Sequence, residues 1–400
     1  MSNAILPVYG PSEVVFERGE GVRLFDSNGR GYLDFIAGIA VNSLGHAHPA
    51  LVRALSEQAG KLWHVSNMYR IPGQERLAQR YADLTFADRV FFTNSGAEAI
   101  EASIKIARRY HWSRGAPERI KILSFTGSFH GRTYAGINAG GQDKYREGFG
   151  PRMPGFETLP FGDHDALRQA VVQPDVAAVL IEPVQGEGGV RETPEACLRA
   201  LRQLCSETGV LLIYDEVQCG AGRTGQLFHY QWVDGAEPDI LAAAKGIGGG
   251  FPMGACLATE AAASGMAKGV HGSTFGGGPL AMAVGNAVLD ILSEDGFLEG
   301  VRRVASTLTQ GLESLRDRYP DLVLKVTGRG LLRGLKLSFD PVVLRGELAE
   351  RGLLVGSAGD QVLRLAPPLI VTDDDVLEAV RIIDDALSAQ ARARAAGGGA

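Results

Sequence analysis

The sequence predicts an α/β fold: a large domain with a mostly parallel sheet flanked by helices, plus a smaller α+β domain. Three observations carry that prediction. Between about residues 50 and 290, short apolar runs alternate with amphipathic stretches. The residues with evident chemistry fall just past those runs. Around Ser293 the pattern changes, and a long amphipathic stretch gives way to short strand-like segments.

The apolar runs are Val90–Thr93, Lys121–Phe125, Ala177–Ile181, Val210–Tyr214 and Ile240–Ala244. Between several of them lie helix-like segments, such as Glu98–Tyr110 and Glu195–Glu207. Near-continuous apolar strands alternating with helices imply parallel pairing with both faces covered. The large domain is expected over 50–290. The small domain is expected over 291–391, with a helix at Gly300–Tyr319 and strands at Leu322–Thr327, Leu332–Leu337 and Gln361–Leu365. Residues 1–49 carry strand candidates at Gly21–Asp26 and Tyr32–Phe35 and are expected to pack with it. The tail, 392–400 (RARAAGGGA), offers little to bury and is expected to be disordered.

Composition narrows the function classes. The 400 residues are 45% hydrophobic and 22% charged, ordinary for a soluble globular protein. A net charge of −6 gives no electrostatic reason to expect nucleic acid or an anionic membrane as partner. No apolar run reaches the ~18 residues of a membrane span, and the N-terminus lacks a signal-peptide pattern. Cys197, Cys205, Cys219 and Cys256 form no CxxC pair and no metal-ligand spacing, which points to a reducing, cytoplasmic setting without metal. Cys219 is the one thiol expected to be chemically accessible. The 53 glycines cluster in short loops, as where backbone must approach a ligand.

Five loops hold the candidate chemistry. Asn94-Ser95-Gly96 follows the first run and opens a helix; Phe129, His130 and Arg132 follow the second. Glu182 and Glu187 follow the third, Asp215 and Gln218 the fourth, and Lys245 the fifth. In open α/β sheets, ligands bind in the crevice outside the carboxyl ends of the strands.

Backbone N–H groups at Gly96 and Ala97, at the positive end of a helix, suit a phosphate, although the same turn serves plain helix capping. Asp215 ends an apolar strand and needs a partner there, since isolated burial of a carboxylate is costly. The protonated ring nitrogen of pyridoxal phosphate (PLP) is one such partner; a lysine or arginine is another. Lys245 lies between an apolar run and four glycines, where desolvation would make it a competent Schiff-base amine. Phe129 suits stacking on a flat ring or packing in a core. Arg132 suits bidentate carboxylate binding or a surface. His130 reads as a structural hydrogen-bonder. Ser273 and Thr274, in HGSTFGGGP, complete a phosphate cup or form an ordinary turn.

Together these segments resemble the class III (subgroup II) PLP-dependent aminotransferases. The likeness runs through LDFIAGIAVNSLGHAHP, FFTNSGAEAIEASIKIAR, SFHGRT, IEPVQGEGGV, LLIYDEVQCGAGRTG, PDILAAAKGIGGGFPMGA, HGSTFGGGPLA and LRLAPPL. The resemblance implies the fold type I architecture, PLP as cofactor, and a homodimer with shared active sites. It implies Lys245 as the covalent lysine and proton carrier, Asp215 on the pyridine nitrogen, and Gln218 on the ring hydroxyl. Phe129 and Val217 would cover the two ring faces, with Glu216 also among the cofactor contacts. Gly96 and Ala97 would hold the phosphate, joined by Thr274 of the second subunit. Arg132, with Ser273 nearby, would bind the substrate α-carboxylate. Glu187 would mask Arg364 during the ω-amino half-reaction and release it for glutamate.

The same likeness implies transfer of the δ-amine of N2-acetyl-L-ornithine to 2-oxoglutarate, in arginine biosynthesis. Succinylornithine or another ω-amino acid is the alternative donor. A non-catalytic phosphate-ligand-binding protein is the alternative from another class. The sequence departs from the family pattern at Ala97, where a threonine is common, and at Gly278, where an asparagine is. It also looks shortened after Leu337.

Overall fold

The computed structural model describes residues 4–10 and 12–397, with side chains to residue 394. Its centre is a seven-stranded sheet. The strands are β4 (Arg89–Thr93), β5 (Lys121–Phe125), β6 (Phe156–Leu159), β7 (Val176–Ile181), β10 (Leu211–Asp215), β11 (Ile240–Ala244) and β12 (Gly254–Ala258). They run in the order β4-β12-β11-β10-β7-β5-β6. Every residue of β7, β10, β11 and β12 is buried, so these strands are covered on both faces, as their unbroken apolar character requires. β11, β10, β7, β5 and β6 pair in parallel, whereas β12 is antiparallel to both its neighbours. β6 and β12 were absent from the expected strands: FETL and GACLA are too short and too poor in β-branched residues to stand out.

The helix Gly96–Ser113 buries Ala99, Ile100, Ser103, Ile106 and Ala107, a stripe at helical spacing, and packs on β11 and β12. Ser95 caps it, its Oγ accepting from Glu98 N at 3.2 Å. Glu195–Thr208 ends at Gly209, whose φ of 65° is the left-handed stop that glycine allows cheaply.

A second sheet holds β13 (Val323–Arg329), β14 (Leu332–Leu337), β16 (Gly356–Ala358) and β17 (Val362–Leu365) in the order β13-β14-β17-β16. The helix Phe297–Arg318 packs on β13 and on the C-terminal helix. The N-terminal strands β1 (Phe16–Glu20), β2 (Arg23–Asp26) and β3 (Gly31–Asp34) form an antiparallel ladder. β3 also pairs in parallel with the two-residue β15 (Leu353–Leu354), while β8 (Val184–Gln185) and β9 (Arg191–Glu192) form a separate antiparallel pair. Arg23 pairs with Glu378 at 2.6 Å, a second tie between the chain's two ends.

The tail corrects an expectation. The C-terminal helix runs Asp373–Gly397, so residues 392–397 are helical rather than disordered; 398–400 lie outside the described residues. Alanine and arginine favour helix strongly enough to extend one already docked. Arg394 also reaches back, donating to Ser338 Oγ at 3.2 Å and lying 4.9 Å from the Phe339 ring centre. Among the described residues, no helix is long and apolar enough to cross a membrane.

Candidate active site

The loops leaving β4, β5, β7, β10 and β11 converge on a cavity of about 460 Å³. Its wall includes Gly96, Ala97, Phe129, Arg132, Glu187 and Asp215, joined by Val217, Gln218 and Lys245. With Asn94, Ser95, His130 and Glu182 also on the wall, thirteen of the residues singled out from the sequence meet in one place.

Lys245 begins the turn after β11 with φ of 49°, a strained left-handed conformation for a residue with a Cβ. The turn behind it is tight: a Cβ on Gly248 would lie 2.2 Å from the Phe251 carbonyl oxygen, so only glycine fits. Burial, then the Arg364 guanidinium, brings the Lys245 pKa down to about 8. Among the described residues its amine has no hydrogen-bond or ion-pair partner.

Asp215 ends β10 and is 4% exposed. Its Oδ1 accepts from Val217 N at 3.0 Å, and its Oδ2 lies 2.8 Å from His130 Nδ1. A carboxylate only accepts, so Nδ1 carries the hydrogen. The other ring nitrogen of His130 is buried without a partner among the described residues. His130 is therefore the structural hydrogen-bonder read from the sequence, with Asp215 as the group it holds.

At the start of its helix, Gly96 packs so closely on Val217 that a Cβ there would lie 2.7 Å from Val217 Cγ1. Asn94 N and Nδ2 both donate to Glu98 Oε2 at 2.9 Å, which orders the turn ahead of the helix. Phe129 N donates to Glu182 Oε2 at 3.1 Å. Burial, with Asp215 and Glu187 nearby, pushes the Glu182 carboxyl well above the usual range. Position had flagged Glu182, the first residue past its strand, but no role had been assigned to it.

Two guanidinium groups near the site stand in opposite states. Arg364, from β17, is 3% exposed and paired with Glu187; it also donates to Gln218 Oε1 at 3.1 Å. Burial alone would raise the Glu187 pKa, but Arg364 outweighs it and holds the carboxylate below its usual value. Arg132 is exposed and has no carboxylate partner among the described residues. Its guanidinium lies 3.8 Å from the centre of the Tyr145 ring. Tyr145 was not foreseen, because nothing in the turn Asp143–Tyr145 marks it.

Four expected site residues lie off the cavity wall, and one of these is a correction. Glu216 follows Asp215 directly and turns the other way, accepting from the backbone N–H groups of His229 and Tyr230. Burial raises its pKa to about 8, and it is no part of the cofactor wall. Arg364 reaches the site from behind Glu187. Ser273 Oγ accepts from Asn94 Nδ2 at 3.3 Å beside the cavity, and Thr274 is exposed outside it. Cys219, expected to be accessible, is 1% exposed, and burial pushes its pKa well above the thiol range; the half-buried thiol is Cys197.

An unpaired amine of depressed pKa, a buried carboxylate with acceptor capacity left, and a helix N-terminus open to an anion face one cavity. That set fits an aldehyde, a ring nitrogen and a phosphate, which is to say PLP. Fold and site together define a PLP-dependent transferase of fold type I.

The chain belongs to the class-III aminotransferases, whose family model matches residues 7–387. It is 58% identical over 381 residues to an acetylornithine aminotransferase of Mesorhizobium japonicum, covering 95% of each chain. Among solved structures it resembles the N-acetylornithine aminotransferase of Stenotrophomonas maltophilia, with TM-score 0.84 and 39% identity over 96% of this chain and 98% of that one. It also resembles the ornithine aminotransferase of Toxoplasma gondii in a structure where PLP partially occupies the active site. There the TM-score is 0.92 and the identity 33%, over 98% of this chain and 93% of that one. PLP is the cofactor of this chain.

Proposed function

We propose that the chain is an acetylornithine transaminase, moving the δ-amine of N2-acetyl-L-ornithine to 2-oxoglutarate. The products are N-acetyl-L-glutamate 5-semialdehyde and L-glutamate, in arginine biosynthesis. The observation that carries this reading is the contrast between Arg364, masked by Glu187, and Arg132, unmasked on the wall of the cavity that Lys245 lines. A donor with its carboxylate far from the reacting amine uses Arg132 and leaves the Glu187–Arg364 pair closed. A donor with an adjacent carboxylate has to open that pair.

A second hollow of about 480 Å³ adjoins the first through Arg132, walled by Val8, Tyr9, Tyr134 and Tyr145 among others. Its lining holds no acidic side chain, so an uncharged acylamino group fits and a free α-ammonium would go unpaired.

PLP, when bound, supplies an aldehyde carbon for the amine and a ring that withdraws electrons from the reacting carbon. Lys245 Nζ would hold the cofactor's aldehyde carbon and, once displaced by the substrate amine, would carry the proton from the substrate carbon, as its low pKa permits. Asp215, held by His130, would support the ring nitrogen, and Gln218 the ring hydroxyl. Phe129 and Val217 would confine the ring. Gly96 and Ala97 would hold the phosphate with backbone N–H groups. Arg132, with Ser273 near the loop, and the Glu187–Arg364 pair hold carboxylates and so fix which C–H bond faces the lysine.

Thr274 completes the phosphate site of a partner in a cytoplasmic homodimer. Supporting that assembly, Asn67 donates to the carbonyls of Ser273 and Gly276, joining two segments that leave Trp63, Met68, Tyr69 and Phe275 exposed.

The test is kcat/KM for acetyl-, succinyl- and free ornithine with 2-oxoglutarate as acceptor. Preference for the acetyl compound is expected; preference for either of the others overturns the substrate assignment.

A further inference from the structure

We infer that Tyr145 is a positioning residue: its ring holds the Arg132 guanidinium ready for a substrate carboxylate without consuming any of its hydrogen-bond donors. The inference rests on the reading of Arg132 as the carboxylate clamp, and goes beyond it by assigning what keeps that clamp in place.

Arg132 poses a physical problem. It is exposed, it has no carboxylate partner, and an arginine side chain carries several freely rotating bonds. Left alone, it would be spread over many rotamers, and a substrate would have to order it at the cost of affinity. Pairing it with a carboxylate would order it but would also occupy the donors the substrate needs, as Glu187 does for Arg364. An aromatic face solves both difficulties. A guanidinium laid against a ring keeps its N–H edge free for bidentate binding, while the ring quadrupole holds the charge.

The geometry matches that solution. The Arg132 guanidinium carbon is 3.8 Å from the Tyr145 ring centre and 5.4 Å from that of Phe129. The two rings stand edge to face, 5.6 Å apart at 81°, so Phe129 steadies Tyr145 in turn. Phe129 also lines the main cavity, and Tyr145 and Arg132 line the outer hollow. The three side chains thus link the site of chemistry to the site where the far end of the donor is read. The Tyr145 hydroxyl has no hydrogen-bond partner among the described residues, so the ring face is what matters.

The test uses holoenzyme carrying Tyr145→Ala, Tyr145→Phe, Arg132→Ala or the Tyr145→Ala/Arg132→Ala pair. Besides kinetics, calorimetry measures binding of N2-acetyl-L-norvaline, which keeps the acylated carboxylate end and lacks the reacting amine. Tyr145→Ala should weaken this probe and raise KM for N2-acetylornithine by about three- to thirtyfold, with kcat changed far less. Tyr145→Phe should bind like the parent, because the face is kept. In the Arg132→Ala background, the Tyr145 change should add nothing. Full-strength probe binding by Tyr145→Ala, equal damage from Tyr145→Phe, or additive losses in the pair would each overturn the inference. Undiminished probe binding by Arg132→Ala would overturn the clamp reading itself, and this inference with it.

Discussion

His130 Nδ1 lies 2.8 Å from Asp215 Oδ2, and the other imidazole nitrogen has no partner among the described residues. The histidine is thus committed to one task, fixing the rotamer of a carboxylate that ends a fully buried strand. Replacing it as His130→Leu removes a charge-assisted hydrogen bond worth about 1–3 kcal/mol. Cofactor affinity should fall roughly five- to hundredfold, read by absorbance titration of cofactor-free protein. Unchanged affinity would mean that Asp215 holds its place without help.

The Lys245 amine gives a pH signature. Its pKa stands at about 8 in the cofactor-free chain, lowered by burial and then by Arg364. Below that pH the amine is protonated and does not attack an aldehyde; above it the free amine does. Covalent capture of PLP by cofactor-free protein should therefore accelerate with a midpoint near pH 8, against ~10.4 for an ordinary lysine. Stability follows the same sign: the unfolded chain keeps this proton up to ~10.4, so the burial penalty is full at neutral pH and relaxes as pH rises between the two values. A capture midpoint above about 10 would contradict the burial argument.

Glu187→Gln should unmask Arg364. Turnover of N2-acetylornithine relative to donors with an adjacent free carboxylate should drop by about tenfold or more, measured as a ratio of kcat/KM values. A ratio that does not move would separate the ion pair from specificity.

Gly96→Ala would place a Cβ 2.7 Å from Val217 Cγ1. Overpacking of that kind costs about 1–3 kcal/mol. The variant should unfold at lower temperature and bind cofactor more weakly, and Val217→Ala in the same chain should restore much of the loss. If the double change is no better than the single one, the clash is not the cause.

The sheet was legible because β7, β10 and β11 are apolar without interruption, and their carboxyl ends announced the site. β12 was not, since GACLA carries only one bulky side chain, Leu257, among small ones. Asp215 could be read from its place at a strand end. Glu216 was misread because adjacent residues there face opposite ways, a rule of alternation that the resemblance obscured. Tyr145 could not be found at all: its role comes from a tertiary stack on a residue of another loop, and no local pattern encodes it. The tail was underestimated because contacts of Arg394 with Ser338 and Phe339 are equally long-range.

The reversed strand β12 stands between β4 and β11, with Gly254 opposite both Thr93 and Ala244. The ends of β4 and β11 are consequently held two inter-strand spacings apart, about 9–10 Å, and the turn after β4 crosses that gap, so that a Cβ on Gly96 would lie 3.4 Å from the Ala244 Cβ. Backbone hydrogen bonds set that gauge, so exchanging side chains in either turn alters grip but not span. The absence of a side chain at that crossing is what lets the helix N-terminus open beside the lysine's strand, so one small ligand can meet both turns at once.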